Sequence, residues 1–157
     1  MSTMVLLNGV RELPCALENV LEYRNPVLAQ RFQQKLGISQ EVAEQLFEDT
    51  KKFLYLCAAS EKPISPNKTL DFGWHEFILF TEDYTDFCQK YFGHFIHHRP
   101  RHPNDPPTKR EGGRRTLELA HQVFGDNLSE NWEYSLSDEE DTPCDSCGCA
   151  SECTDGP

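Results

Sequence analysis

Between Thr69 and Ile96 the chain repeats aromatic residues at the spacing of a helix. Phe77, Phe80, Tyr84, Phe87, Cys88, Tyr91, Phe92 and Phe95 recur three or four residues apart. A period of 3.6 stacks such a set on one face, whereas a strand would divide it between two. The spacing predicts one long helix over 69–96. Gly93 is the place where it can break or kink, and Pro100 ends it, because the ring has no N–H and clashes with the preceding turn. A stripe this apolar has to be covered by other helices.

The rest of the chain supplies them. Leu13, Leu17, Val20 and Leu21 mark a first helix over 11–24. Asn25-Pro26 reads as a cap followed by proline in the first turn, opening a second helix that Gly37 closes. Ser39 caps a third helix through Ala59, with Val42, Leu46, Phe47, Phe53, Leu54, Leu56 and Cys57 as its stripe. Pro63 and Pro66 fix a connector. After a proline- and glycine-rich loop over 99–115, Leu117, Ala120 and Phe124 mark a last helix over 114–124, closed by Gly125. No strand pair and no repeat is evident. The class is all-α, a compact array of about five helices.

Charge divides the 157-residue chain in two. Nine of its 26 acids and none of its 15 Lys and Arg lie in 129–157, which leaves 17 acids against 15 bases in 1–128. The pI of about 4.9 is thus a property of the tail. The expected organisation is a helical domain over 1–128 and an acidic, cysteine-rich tail over 129–157, disordered from Ser137, because acids, Ser, Pro and Gly bury too little surface to offset chain entropy. Trp132, Tyr134 and Leu136 can dock on the domain.

No run approaches the roughly 20 apolar residues of a membrane span, and Met1 to Leu7 lacks the basic start of a signal peptide. Cytoplasmic location and reduced thiols are the expectation, since an exported disulfide framework spreads its cysteines through the fold.

Two groups of residues can hold metal. Neutral imidazole and thiolate suit zinc, and a structural site takes four such ligands. In the body the candidates are His75, Cys88, His97, His98 and His121. His75 and Cys88 lie about 20 Å apart on a straight helix, so they share an ion only if that helix breaks. Cys88 with a histidine of 94–98 and His121 is easier, and His94 and His98 have i, i+4 chelating spacing. The first reading for His75 is structural, with Asp71 at i−4 accepting the imidazole proton. Cys88 reads first as a buried inert thiol, and His97 and His98 also suit a solvated helix end. In the tail, Cys144, Cys147, Cys149 and Cys153 can wrap one thiolate-selected ion such as zinc or Cu(I), or an iron–sulfur cluster. The gap between Cys147 and Cys149 is shorter than the usual paired spacing, and exposed thiols on a flexible arm are the alternative.

The 99–115 loop carries six Lys and Arg against two acids. It can hold phosphate, but it lacks interleaved aromatics and the acidic tail offers it a partner. A solvated loop is favoured and nucleic acid is not expected. No Gly-rich phosphate loop, nucleophile elbow, His-Glu-x-x-His or Glu-x-x-His motif occurs.

The residues Cys57-Ala58-Ala59, Ser65-Pro66, Asp71, Trp74-His75, Ile78-Leu79, Thr81, Tyr84, Phe87-Cys88, Phe92-Gly93, Phe95-Ile96-His97-His98, Pro100, Arg115-Thr116-Leu117 and Phe124-Gly125 together resemble the glycine-rich domain-containing protein-like family over about residues 46–127. Its bacterial and phage members are small stand-alone proteins, and the resemblance implies a fold more than an activity. Many plant relatives carry Trp-His-x-His where Phe77 stands here, which would remove one ligand of a histidine pair.

The expected function is a small non-catalytic helical module that binds zinc or a protein partner, with the groove between the 69–96 and 114–124 helices as its surface. One alternative is a metal-dependent enzyme using His75, Tyr84, Cys88, His97 and His98 around one ion, beside Asp71 and Trp74. Another is a phage-type inhibitor acting by mimicry through the acidic tail.

Overall fold

A computed structural model describes residues 9–100, 109–134 and 151–155. The chain is mostly helical, as expected. The helices are α1 Leu17–Leu21, α2 Pro26–Leu36, α3 Gln40–Ala59, α4 Lys68–Leu79, α5 Thr81–Phe92 and α6 Lys109–Phe124. A 3-10 turn covers Glu130–Trp132, and two strands, β1 Ile96–Pro100 and β2 Ser151–Asp155, form an antiparallel pair.

α3 is the central post, in contact with α1, α2, α4, α6 and both strands. Local chemistry sets its neighbours' ends. Asn25, Ser39 and Asn67 each accept the backbone N–H three residues on, at the starts of α2, α3 and α4. Gly37 and Gly93 close α2 and α5 in the left-handed conformation that a Cβ disfavours. Around α3, Phe32, Phe53, Leu54, Leu70, Trp74 and Phe77 are wholly buried, each large apolar side chain contributing about 1.5–3 kcal/mol.

Three expectations are corrected. The single helix over 69–96 is two helices and a strand. At Phe80 the backbone leaves the helical region, with φ −84° and ψ 69°, and α5 turns back toward α4. The fold places Phe77 against Tyr84 and Phe87, at ring separations of 5.2 and 5.1 Å. In a straight helix those residues would be about 10 and 15 Å apart along the axis. After Gly93 the chain runs as β1, so His94 and His98 do not share a helix face. The first helix is Leu17–Leu21 rather than 11–24, because Pro14 disfavours helical backbone at Leu13. The last helix begins at Lys109, not Arg114. Its glycines meet the body closely: a Cβ at Gly112 would stand 2.4 Å from Ser65 Oγ.

The thiols are not all reduced. Cys57 is disulfide-bonded, while Cys15 and Cys88 are free.

Residues 129–134 close over α3 and α4. The buried Asp49 carboxylate accepts hydrogen bonds from Gln45 Nε2, Ser129 Oγ, Asn131 Nδ2 and Trp132 Nε1, between 2.6 and 3.1 Å. Asn67 Nδ2 donates to the carbonyls of Asn131 and Glu133. Docking of Trp132 and Tyr134 is therefore seen, whereas Leu136 lies outside the described residues. So do the side chains of Cys144, Cys147, Cys149 and Cys153, the loop 101–108 and, apart from the backbone of β2, the expected disorder from Ser137. Among the described residues no helix is long and apolar enough to cross a membrane.

Candidate metal centre

α4 and β1 bring three metal-ligating side chains together. One ligand atom each from Asp71, His75 and His98 lies within 4.8 Å of the others. Asp71 and His75 share a face of α4 at i, i+4, and His98 comes from the strand 27 residues beyond Asp71.

β1 is aimed by a short hydrogen-bond chain. Trp74 Nε1 donates to Tyr84 Oη at 2.9 Å, and Tyr84 Oη donates to the Ile96 carbonyl at 2.5 Å. This ties α4, α5 and the start of β1 at one point. Side chains alternate along a strand, so Ile96 and His98 face the body while His97 and Arg99 are exposed. His98 then packs on the Trp74 indole, with ring centroids 4.3 Å apart, and edge-on against the His75 imidazole at 4.0 Å.

The two oxygens of Asp71 divide between the histidines. Oδ1 is 2.8 Å from His98 Nε2 and Oδ2 is 3.5 Å from His75 Nε2. Ligands about 2.0–2.2 Å from a tetrahedral zinc stand about 3.3–3.5 Å from each other, so the His75 gap is already what an ion needs, whereas the His98 gap is a hydrogen bond that would have to open. His75 Nε2 is buried and has no hydrogen-bond partner. Burial lowers the His75 pKa, and His98 adds to that effect while Asp71 and Glu76 oppose it. The neutral imidazole is the form that ligates metal. The other carboxylate beside the site, Glu76, is turned away and paired with Arg31 and Lys35 of α2.

A model of the UCP032817-like family matches residues 17–130. The chain belongs to that family. The match takes in α1 through the start of the 3-10 turn, with Asp71, His75 and His98 inside it. It corrects the resemblance to the glycine-rich domain-containing protein-like family. No curated protein and no solved structure matches the chain.

Of the residues expected to act, His75 and His98 meet, and Asp71 stands between them. Phe77 is wholly buried among the aromatic rings, so position 77 does not reach the cluster. Cys88 is buried on α5 and its thiol is pushed up to about 11 by burial. Tyr84 is likewise raised by burial, with Cys88 beside it, and stays a phenol that donates to Ile96. His97 is on the outer side of β1, against Phe95. His121 is exposed on α6, with Nδ1 3.2 Å from Asp126. The shared ion of the enzyme reading therefore loses Tyr84, Cys88 and His97. Arg114 and Arg115 of the basic loop pair with Glu118 and Glu111 within α6. Among the described residues a groove of about 500 Å³ lies between α1, α2 and α3, lined by Arg24, Gln40, Glu44, Glu48 and Lys51 among others.

The sequence did not announce the pairing of His98 with Asp71. Its signal was the separation of two short apolar runs by Gly93, and the second run is too short for its period to be read.

Proposed function

We propose that this protein is a small, non-catalytic zinc-binding helical module whose ion is held by Asp71, His75 and His98. The observation that carries this reading is the convergence of one carboxylate and two imidazoles within 4.8 Å, from two elements far apart in sequence. The unpartnered, buried Nε2 of His75 supports it, because a buried polar atom left without a partner costs about 1–3 kcal/mol and an ion would satisfy it. Two nitrogens and a carboxylate oxygen form a donor set that zinc accepts readily. On binding, the ion replaces the Asp71–His98 contact with a bond to each, and His98 gives up any proton it shares there. Trp74 and Tyr84 orient the strand that carries His98 and do not touch the ion.

Zinc titration by calorimetry, beside elemental analysis of untagged protein, tests the reading. One zinc per chain is expected. Removing a group that merely orients a zinc ligand already costs about 10–100-fold in affinity, so His98→Ala and His75→Gln should each cost at least that. His75 is the more exposed of the two, so its variant keeps the test valid if His98→Ala folds poorly. A wild-type chain that takes up no zinc overturns the proposal and leaves Asp71–His98 as a clasp between α4 and β1.

A further inference from the structure

Away from the histidines, two cations meet at the end of α1. The Lys51 ammonium donates to the carbonyls of Leu21 and Tyr23, at 2.8 Å each. Arg24 Nη1 donates to the same two carbonyls, at 2.6 and 3.2 Å. An ammonium carries three donors and a guanidinium five. One N–H of Lys51 and the Nε and Nη2 groups of Arg24 are therefore left over. Among the described residues neither side chain has a carboxylate at ion-pair distance, and the Phe47 ring flanks the ammonium at 4.9 Å.

Lys51 is only 2% exposed. Burial, reinforced by Arg24, lowers its pKa to about 8, and Glu48 opposes the shift without pairing. Buried charges are ordinarily paired. A buried ammonium whose polar neighbours are a second cation and two carbonyls is a receptor for an anion. Both cations line the groove between α1, α2 and α3, whose volume of about 500 Å³ suits a small molecule. A bare anion does not match the rest of that groove, because Glu44 and Glu48 line it too. Positions 44, 48 and 51 follow one stripe of α3. Glu48 is about 4.5 Å from Lys51 along the axis and Glu44 about 10 Å, so the charges run positive, negative, negative.

We propose that this groove binds a free basic amino acid. The α-carboxylate of the ligand accepts the spare N–H groups of Lys51 and Arg24, a charge-assisted contact in which the guanidinium can present a fork. Its α-ammonium faces Glu48, one helical turn away. Its side-chain cation meets Glu44, and an extended lysine or arginine covers the distance once the glutamate side chain reaches toward it. None of Asp71, His75 and His98 lines the groove, so this site and the zinc site are separate.

Calorimetry on the full chain, with L-arginine and L-lysine as titrants, tests the proposal. One molecule per chain is expected. Agmatine keeps the guanidinium of arginine without its carboxylate, and acetate is a carboxylate without the cations. Each should bind about tenfold or more weakly than L-arginine, as should L-arginine to Lys51→Met, Arg24→Gln and Glu44→Gln, since each change removes a charge-assisted contact. Arg24 and Glu44 are exposed, so their variants keep the test valid if Lys51→Met folds poorly. No heat with either amino acid overturns the proposal and leaves Lys51 and Arg24 as caps on the end of α1. Acetate or agmatine binding as tightly as L-arginine overturns the ligand class. Unchanged affinity in Arg24→Gln overturns the paired cations as the seat of the carboxylate.

Discussion

Gly73 shows how one missing atom fixes the approach of two helices. It lies on α4 where that helix presses on α3, and an added Cβ would stand 2.2 Å from Thr50 Oγ1 and 3.4 Å from Thr50 Cβ. Thr50 is itself wholly buried and its hydroxyl donates to the Leu46 carbonyl, so it has little room to turn. Alanine is a better helix former than glycine by about 1 kcal/mol, whereas overpacking a core costs about 1–3 kcal/mol. At a separation of 2.2 Å the clash wins. Gly73→Ala should lower unfolding stability in urea by about 1–3 kcal/mol. Adding Thr50→Ala should recover part of that loss, because the two sites are in contact and their effects do not add. A stabilised Gly73→Ala variant would contradict this packing. One residue on, Trp74 and His75 face different surroundings: the indole is sealed in the core, while the imidazole is partly exposed beside Asp71.

At the level of elements, the break at Phe80 decides the most. It lets α5 fold back so that Trp74, Tyr84 and the Ile96 carbonyl line up, and that line aims β1. Tyr84→Phe keeps the ring but leaves the Trp74 N–H and the Ile96 carbonyl without this partner. Each buried group so stranded costs about 1–3 kcal/mol. Stability should therefore fall by a few kcal/mol. Zinc affinity should also fall by about 10–100-fold, the usual effect of loosening what orients a ligand. Calorimetry on the folded variant separates the two effects. Loss of stability with unchanged affinity would mean that β1 keeps its place without the phenol. The helix caps at Asn25 and Ser39 were readable in the sequence because capping is local, a side chain meeting a backbone N–H three residues on. The strand was not, since its pairing depends on a partner more than fifty residues away.

For the molecule as a whole, acid is a test of how the layers are joined. Glu76 links α4 to Arg31 and Lys35 of α2. Burial by itself would raise its carboxyl pKa, but the hydrogen bonds and charges of Lys35 and Arg31 outweigh it and hold the pKa below the ordinary glutamate range. A carboxyl lowered in the folded state adds stability that is full above its unfolded pKa, about 4.3, and is lost as pH falls through the folded value. Urea midpoints measured downward from about pH 5 should drop more steeply for the wild type than for Glu76→Gln. Parallel curves would assign acid sensitivity to other carboxylates. Arg31 and Lys35 are partly exposed, so solvent screening keeps the effect modest.

The amino-acid sequence by itself determined the helical class, the caps of α2 and α3 and the break at Gly93. These depend on side chains meeting their own backbone within a few positions, or on a period that repeats along one element. Only the tertiary structure decided that the aromatic stripe folds on itself at Phe80. It also took tertiary packing to separate His97 from His98, to bury Cys88 and Tyr84, and to place His98 beside Asp71 rather than His94. The physical reason is that a ligand set is a matter of distance in space. Residues 71 and 98 become neighbours when two helices and a strand pack around one core, and no local spacing encodes that meeting.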